Sequence, residues 1–351
     1  MFLPLLVQLL SPPPIDLLTT YDPAPGDKVA ITRVATAQQW ERRRADIQRR
    51  VEDFLGKGPV ATMNPRITSR EDLGGYARLH VLYGDVTAYL LMPKGKGPYP
   101  AVLAAHPTYD SGKNSVVGLS EKPSMHYAKE LVERGFVVLA PDSVTAGERV
   151  LAGAKPYVTD AFDRRNPEWS AMGKMLSDHR LGIDYLLTLP EVDKTRIAAI
   201  GHSLGGYNAF FLAAFDERVK AAVSSCGFTM MAGTTRPFAW SRTSWFVHFP
   251  KLQRYLRSGI VPFDFHEVLA MVAPRALFNY SARADTIFPD PEAIEKAGNA
   301  VSDVYRMLGA AGKYEFVMGE GPHDFPGEVR VRAYTWMEQQ LKKPGVERPG
   351  R

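Results

Sequence analysis

The stretch AAIGHSLGGYNAFFLAAF, residues 198–215, sets Ser203 between two apolar runs, with Gly201 and Gly205 two positions away on either side. Residues 197–200 are short and wholly apolar, which predicts a buried strand, and residues 204–215 predict a helix. Ser203 then falls on a tight strand-to-helix turn, inside Gly201-His202-Ser203-Leu204-Gly205-Gly206. Such a turn drives the serine backbone toward positive φ, so its neighbours must be small. It lifts the hydroxyl clear of the sheet, and the N–H of Leu204 opens the helix toward any negative charge that develops there. The sequence marks Ser203 as a nucleophile candidate; the competing reading is a Gly-rich turn with an incidental serine.

A serine hydroxyl is a weak nucleophile at neutral pH and needs a base and a group to orient that base. Where the serine sits on such a turn, the acid and then the histidine follow it along the chain. Three histidines follow: His248, His266 and His323. His323, in GPHDF, comes just after a predicted last strand at 314–318 and is the expected base. His248 and His266 lie in or beside a long irregular segment and are read as structural or substrate-facing. Asp285, in ADTIFP after a predicted strand at 276–280, is the expected acid, with Asp290 five residues on as its competitor. The loop after a predicted strand at 101–105 reads His106-Pro107-Thr108-Tyr109 and is expected to supply a second oxyanion donor. Thr108 or Tyr109 fits that post beside Leu204, since Pro107 has no N–H. His106 is read as bracing this loop and bordering the substrate pocket. His202 is read as elbow packing and His179 as a core histidine.

Around these residues the pattern alternates. Residues 76–83 and 86–92 read as an antiparallel pair joined at Gly84-Asp85. Strands are predicted at 101–105, 136–140, 197–200, 219–224, 276–280 and 314–318. Helices are predicted at 124–134, 170–189, 204–215, 291–308 and 329–341. That alternation predicts an α/β fold with a doubly wound, mostly parallel sheet. Residues 143–168 and 227–263 are too long for plain connections and read as lid or cap insertions. The second holds Trp240 and Trp245 among several aromatic and basic residues. They either line a substrate pocket or pin the insertion to the core.

Residues 28–60 read as a helical extension, with Trp40, Ile47, Val51, Phe54 and Leu55 on one face and Gly56 as its stop. Arginines and acids interleave between residues 38 and 53, which predicts a solvated helix face rather than a nucleic-acid patch. Residues 1–27 read as a leader or linker. Their apolar start is either an export signal, implying a secreted or periplasmic protein, or a tail on a cytoplasmic one. The main domain is expected over 61–343, followed by a tail at 344–351.

The 351 residues, net charge +5, carry one cysteine, Cys226, so no intrachain disulfide forms. It reads as a buried small residue at a strand end. No cofactor is called for: there is no Cys/His cluster with metal spacing, no G-x-G-x-x-G and no phosphate loop. No nucleic-acid partner and no stable membrane insertion are expected.

Over residues 76–341 the chain resembles the α/β-hydrolase superfamily. Within it, AAHPTYDSGK, ERGFVVLAPD, PEVDKTRIAAIGHSLGGYNAFFLAAFDERVKAAVSSCGFT and GPHDFP are similar to dienelactone-hydrolase-like and acetyl-xylan-esterase-like proteins of bacteria. The resemblance implies esterase chemistry through an acyl-enzyme, with a small-molecule or carbohydrate ester as the expected partner. Dienelactone hydrolases proper carry a cysteine nucleophile where this chain has Ser203, which favours ordinary carboxylic esters over lactones. A serine peptidase, an acyltransferase and a non-catalytic binding protein on the same fold are the alternatives.

Overall fold

A computed structural model describes residues 15–24, 28–59 and 61–342. Residues 1–14 and 25–27 of the leader or linker expected over 1–27, and the tail at 344–351, lie outside the described residues. The strands are β1 (Thr19–Ala24), β2 (Lys28–Arg33), β3 (Arg66–Asp72), β4 (Tyr76–Tyr83), β5 (Val86–Pro93), β6 (Tyr99–Ala105), β7 (Val137–Pro141), β8 (Val192–His202), β9 (Val219–Ser225), β10 (Ala276–Ala282) and β11 (Tyr314–Gly319). The helices are α1 (Ala37–Leu55), α2 (Tyr127–Glu133), α3 (Asp160–Arg165), α4 (Ala171–Thr188), α5 (Leu204–Phe215), α6 (Leu252–Arg257), α7 (Phe265–Ala270), α8 (Pro291–Met307) and α9 (Gly327–Gln340).

Among the described residues nine strands form one sheet in the order β11-β10-β9-β8-β6-β7-β5-β4-β3. From β11 to β7 neighbouring strands are parallel, and β5, β4 and β3 add on antiparallel. The fold is the expected α/β class. All of β7 and the last five residues of β6 are buried, because helices cover both faces of a parallel sheet. Helices α4, α5 and α8 pack on one face, and α2 and α9 on the other. Strand β4 is half-solvated, and its burial alternates along the hairpin with β5.

The chain runs from β6 outward to β7, then returns across β6 to start β8. The order therefore reverses at β6, and a crevice opens beyond the carboxyl ends of β6 and β8. Both the Ser203 turn and the His106–Tyr109 loop end in that crevice.

Several elements differ from the sequence reading. Part of the predicted linker is the antiparallel hairpin of β1 and β2. Strand β3 was not predicted; every residue in it is exposed, so no apolar alternation marks it. The 143–168 segment contains α3, and the 227–263 segment contains α6.

Helix α1 begins at a capping box between Thr36 and Gln39 and ends at Gly56, with φ 71°. Its expected solvated face is a correction. Arg43 and Arg50 reach across to Glu267 of α7, at 3.2 and 2.7 Å, and Arg44 donates to the Met271 carbonyl at 3.0 Å. Glu267 is fully buried, and although burial opposes its ionisation, the charge of Arg50 above all holds its carboxyl down to about 2.

Candidate active site

The elbow is built by close approach. Ser203 sits at φ 56°, a conformation left-handed enough to need support from its surroundings. A Cβ on Gly201 would lie 2.2 Å from the Gly205 carbonyl carbon, and one on Gly205 would lie 2.0 Å from the Ala105 carbonyl oxygen. Both positions therefore require glycine on steric grounds. The Ser203 N–H donates to the Ser225 carbonyl at 2.8 Å, tying the turn to the end of β9.

His323, in the loop after β11, places Nε2 2.8 Å from Ser203 Oγ and Nδ1 2.6 Å from Asp285 Oδ2. Asp285, in the loop after β10, is buried, and its Oδ1 accepts the N–H groups of Ile287 and Phe288 at 2.8 and 2.9 Å. The aspartate is thus fixed by backbone on one oxygen and faces the imidazole with the other. Asp290 is elsewhere: it caps α8 with φ 69° and accepts from the Thr235 N–H and hydroxyl, both at 3.0 Å.

The His106–Tyr109 loop is equally determined. His106 Nδ1 donates to the Pro107 carbonyl at 2.7 Å while Nε2 accepts the Ser143 N–H at 2.9 Å, which fixes one neutral tautomer. Burial lowers its pKa in agreement with that. Tyr157 OH donates to the Tyr109 carbonyl at 2.6 Å. The Tyr109 N–H is taken by the Pro107 carbonyl at 2.8 Å. That leaves Thr108 beside Leu204 as the loop residue whose N–H has no partner among the described residues. His106 itself is completely buried and does not line the cavity, which corrects its expected place in the pocket: its ring is spent on holding the loop.

A cavity of about 310 Å³ lies over Ser203, Leu204, Thr108, Tyr109 and His323. Its wall is largely aromatic. Trp240 is buried, 4.1 Å from the Phe265 ring and stacked on Phe288, so it is cavity wall and core at once. Trp245 stands at the mouth, 42% exposed, with Nε1 on the Pro156 carbonyl and the Arg242 guanidinium over its ring. His248, held neutral by burial with a pKa lowered to about 3, accepts from or donates to Tyr207 OH at 2.5 Å. Among the described residues no Asp or Glu lines this cavity, whereas Lys122 and Arg242 do.

Sequence reasoning missed Tyr207, Lys122, Ile287 and Phe288. Tyr207 was within reach, since it stands four residues after Ser203 and so on the same helical face. His179 is a buried histidine of α4, with its pKa pushed down to about 3 by burial. His202 is buried 4.8 Å from His323, ring to ring, with Nδ1 3.0 Å from Ser225 Oγ. Burial, with His323 second, pushes its pKa well below the usual histidine value.

Cys226 is buried just after β9, and its Sγ reaches the Asp324 carbonyl at 3.6 Å. Its Sγ, a carboxylate oxygen of Asp285 and a ring nitrogen of His323 lie within 4.8 Å of one another. That is a metal-type donor set, but Asp285 and His323 are hydrogen-bonded to each other in it. Among the described residues no helix is long and apolar enough to cross a membrane.

Comparison with known proteins agrees with this architecture. Residues 86–239 match the dienelactone hydrolase family, and residues 178–309 match the fungal glucuronyl esterase family. The Bacillus subtilis (strain 168) protein YtaP, described as a hydrolase, is 26% identical over 313 residues, covering 85% of this chain and 99% of its own. A carbohydrate esterase, MZ0003, from an unknown prokaryotic organism is 27% identical over 198 residues, covering 51% of this chain and 45% of its own. A glucuronoyl esterase from Solibacter usitatus superposes with a TM-score of 0.71 at 20% identity, covering 96% of this chain and 100% of that one. The sheet order, the serine turn and these likenesses give the chain an α/β-hydrolase fold. With its similarity to dienelactone hydrolases and glucuronyl esterases, the chain is a carboxylic ester hydrolase.

Proposed function

We propose that the chain hydrolyses carboxylic esters carried on carbohydrate, through an acyl-enzyme on Ser203. The contact series from Ser203 Oγ to His323 at 2.8 Å and on to Asp285 at 2.6 Å carries this reading. His323 takes the hydroxyl proton as Ser203 Oγ attacks the ester carbonyl. The carbonyl oxygen becomes an oxyanion facing the N–H groups of Leu204 and Thr108. His323, now an imidazolium held in orientation by Asp285, gives its proton to the leaving alcohol as the C–O bond breaks. Water then attacks the acyl-serine with His323 as base, and the carboxylic acid leaves. The match to the glucuronyl esterase family and the likeness to a named carbohydrate esterase support a sugar-borne ester.

The test is a fluorophosphonate probe followed by peptide mass mapping, run beside hydrolysis of 4-nitrophenyl acetate, acetylated xylan and methyl glucuronate. The expected result is a single adduct on Ser203 and turnover of at least one sugar ester. A folded protein that takes no adduct overturns the nucleophile. Turnover of the nitrophenyl ester alone overturns the carbohydrate part.

A further inference from the structure

Beside the catalytic crevice lies a second, larger cavity that the proposed chemistry does not use. It has a volume of about 550 Å³, and its lining includes Asp85, Glu148, Leu151, Arg165, Asn166 and Trp169. Strand β5 runs antiparallel to β7 with Ala88 opposite Pro141. The Gly84-Asp85 turn therefore lies at the carboxyl end of the parallel strands, the same end as Ser203. From β8 to β5 is three strand spacings, or about 14 Å, so one extended molecule can reach both cavities.

The same segment of chain separates the two. Thr145 lines the second cavity and its carbonyl accepts the Tyr157 N–H at 2.8 Å. Tyr157 OH holds Tyr109, and the Pro156 carbonyl holds Trp245, both of the first cavity.

The chemistry of the lining selects among ligands. Arg149 and Lys174 are both bound to Asp178 and Asp85, so those charges are internally cancelled. Glu148 is paired with Lys113 and His80. Arg165 is exposed and has no acidic partner among the described residues. Leu151 is 42% exposed on the rim, and Trp169 packs beside Phe162, 6.0 Å between rings. Apart from Arg165, which offers an unpaired charged donor, the charges of the lining are engaged with one another, and such donors and acceptors next to an apolar wall fit a hydroxyl-rich molecule with apolar C–H faces.

We propose that this cavity is a distal saccharide-binding subsite, which holds neutral sugar residues of the same chain whose ester lies over Ser203. The choice of sugar among neutral polyols rests on the carbohydrate-ester reading above.

The experiment titrates xylohexaose and cellohexaose, free of ester, into the full-length protein and into Arg165→Ala and Leu151→Ser, both changes at exposed positions. Wild-type protein is expected to bind one hexaose saturably with Kd in the millimolar range. Arg165→Ala is expected to weaken it about tenfold, the loss of one hydrogen bond from a charged donor. The same variant is expected to raise KM on an esterified oligosaccharide and leave kcat/KM for 4-nitrophenyl acetate within about twofold. Absence of saturable binding by wild type, or binding by both variants that equals that of wild type, overturns the subsite. A wild type that takes the fluorophosphonate on Ser203 yet binds no hexaose sinks this inference alone. Hexaose binding lost in Arg165→Ala, in a protein that takes no probe, sinks the catalytic reading alone.

Discussion

On one side of the catalytic crevice, position is set by the backbone. Ser203 is held by a turn that glycines alone can close, Asp285 by two N–H groups of its own loop, and the Thr108 loop by the carbonyls that His106 and Tyr157 engage. On the other side, residues 227–262, position is set by side chains. Trp240 wedges between Phe265, Phe288 and Tyr207, and the Asp264 carboxylate gathers the N–H groups of Met231, Ala232 and Phe265. The difference teaches where each kind of change does its damage. Substitution on the backbone-built side removes chemistry and spares the fold; substitution on the side-chain-built side removes packing first.

The sharpest way to break that contrast is Ser203→Ala or His323→Ala. Each is expected to lower kcat on a nitrophenyl ester by about 10⁵-fold or more, with the double variant little worse than either. Thermal unfolding should stay close to wild type. Asp285→Asn comes next, with an expected fall in kcat of about 10⁴-fold from the wrong imidazole tautomer. Asp290→Asn should change kcat by no more than about twofold, since its carboxylate serves the 235 loop. A large loss at Asp290 would overturn the assignment of the acid.

On the other wall, Trp240→Ala is expected to cost about 4 kcal/mol in denaturant unfolding, as a large buried ring leaves a cavity. Trp245→Ala, at the exposed mouth, should cost under about 1 kcal/mol and change KM instead. Equal stability losses at the two would erase the distinction between wall and rim.

Glu267→Gln probes a third kind of position, away from the crevice. It leaves Arg43 and Arg50 facing a neutral amide, with an expected loss of about 3 kcal/mol and unchanged kcat per folded molecule. The wild-type contribution has a definite pH window. The folded carboxyl sits near 2 and the unfolded one near 4.5. The stability is therefore full above the unfolded value and drains away as pH falls toward 2, where an acid titration of unfolding should find it.

Much of this was legible in the chain because strand ends carry their own punctuation. Ser203, Asp285 and His323 each follow a short apolar run and sit near Gly or Pro, so the three side chains that form one hydrogen-bonded series could be picked out in chain order. Thr108 could be told from Tyr109 only in three dimensions, because the Tyr109 N–H is consumed by a three-residue turn onto the Pro107 carbonyl. His106 read as a pocket residue because its position in the loop is visible in sequence and its burial is not. Strand β3 was hidden by its polar surface, and the arginines of α1 read as solvated because their partner, Glu267, is more than two hundred residues away. Long-range pairing leaves no local period.

Besides His323, the crevice is lined by His202 and His248 and braced from behind by His106, and burial keeps each of these three rings neutral. The site therefore keeps one histidine in communication with water. Its rate should fall toward acid with unit slope in log kcat/KM against pH, as one proton is taken up rather than two or three. A steeper limb would mean that one of the sealed rings opens when the protein works.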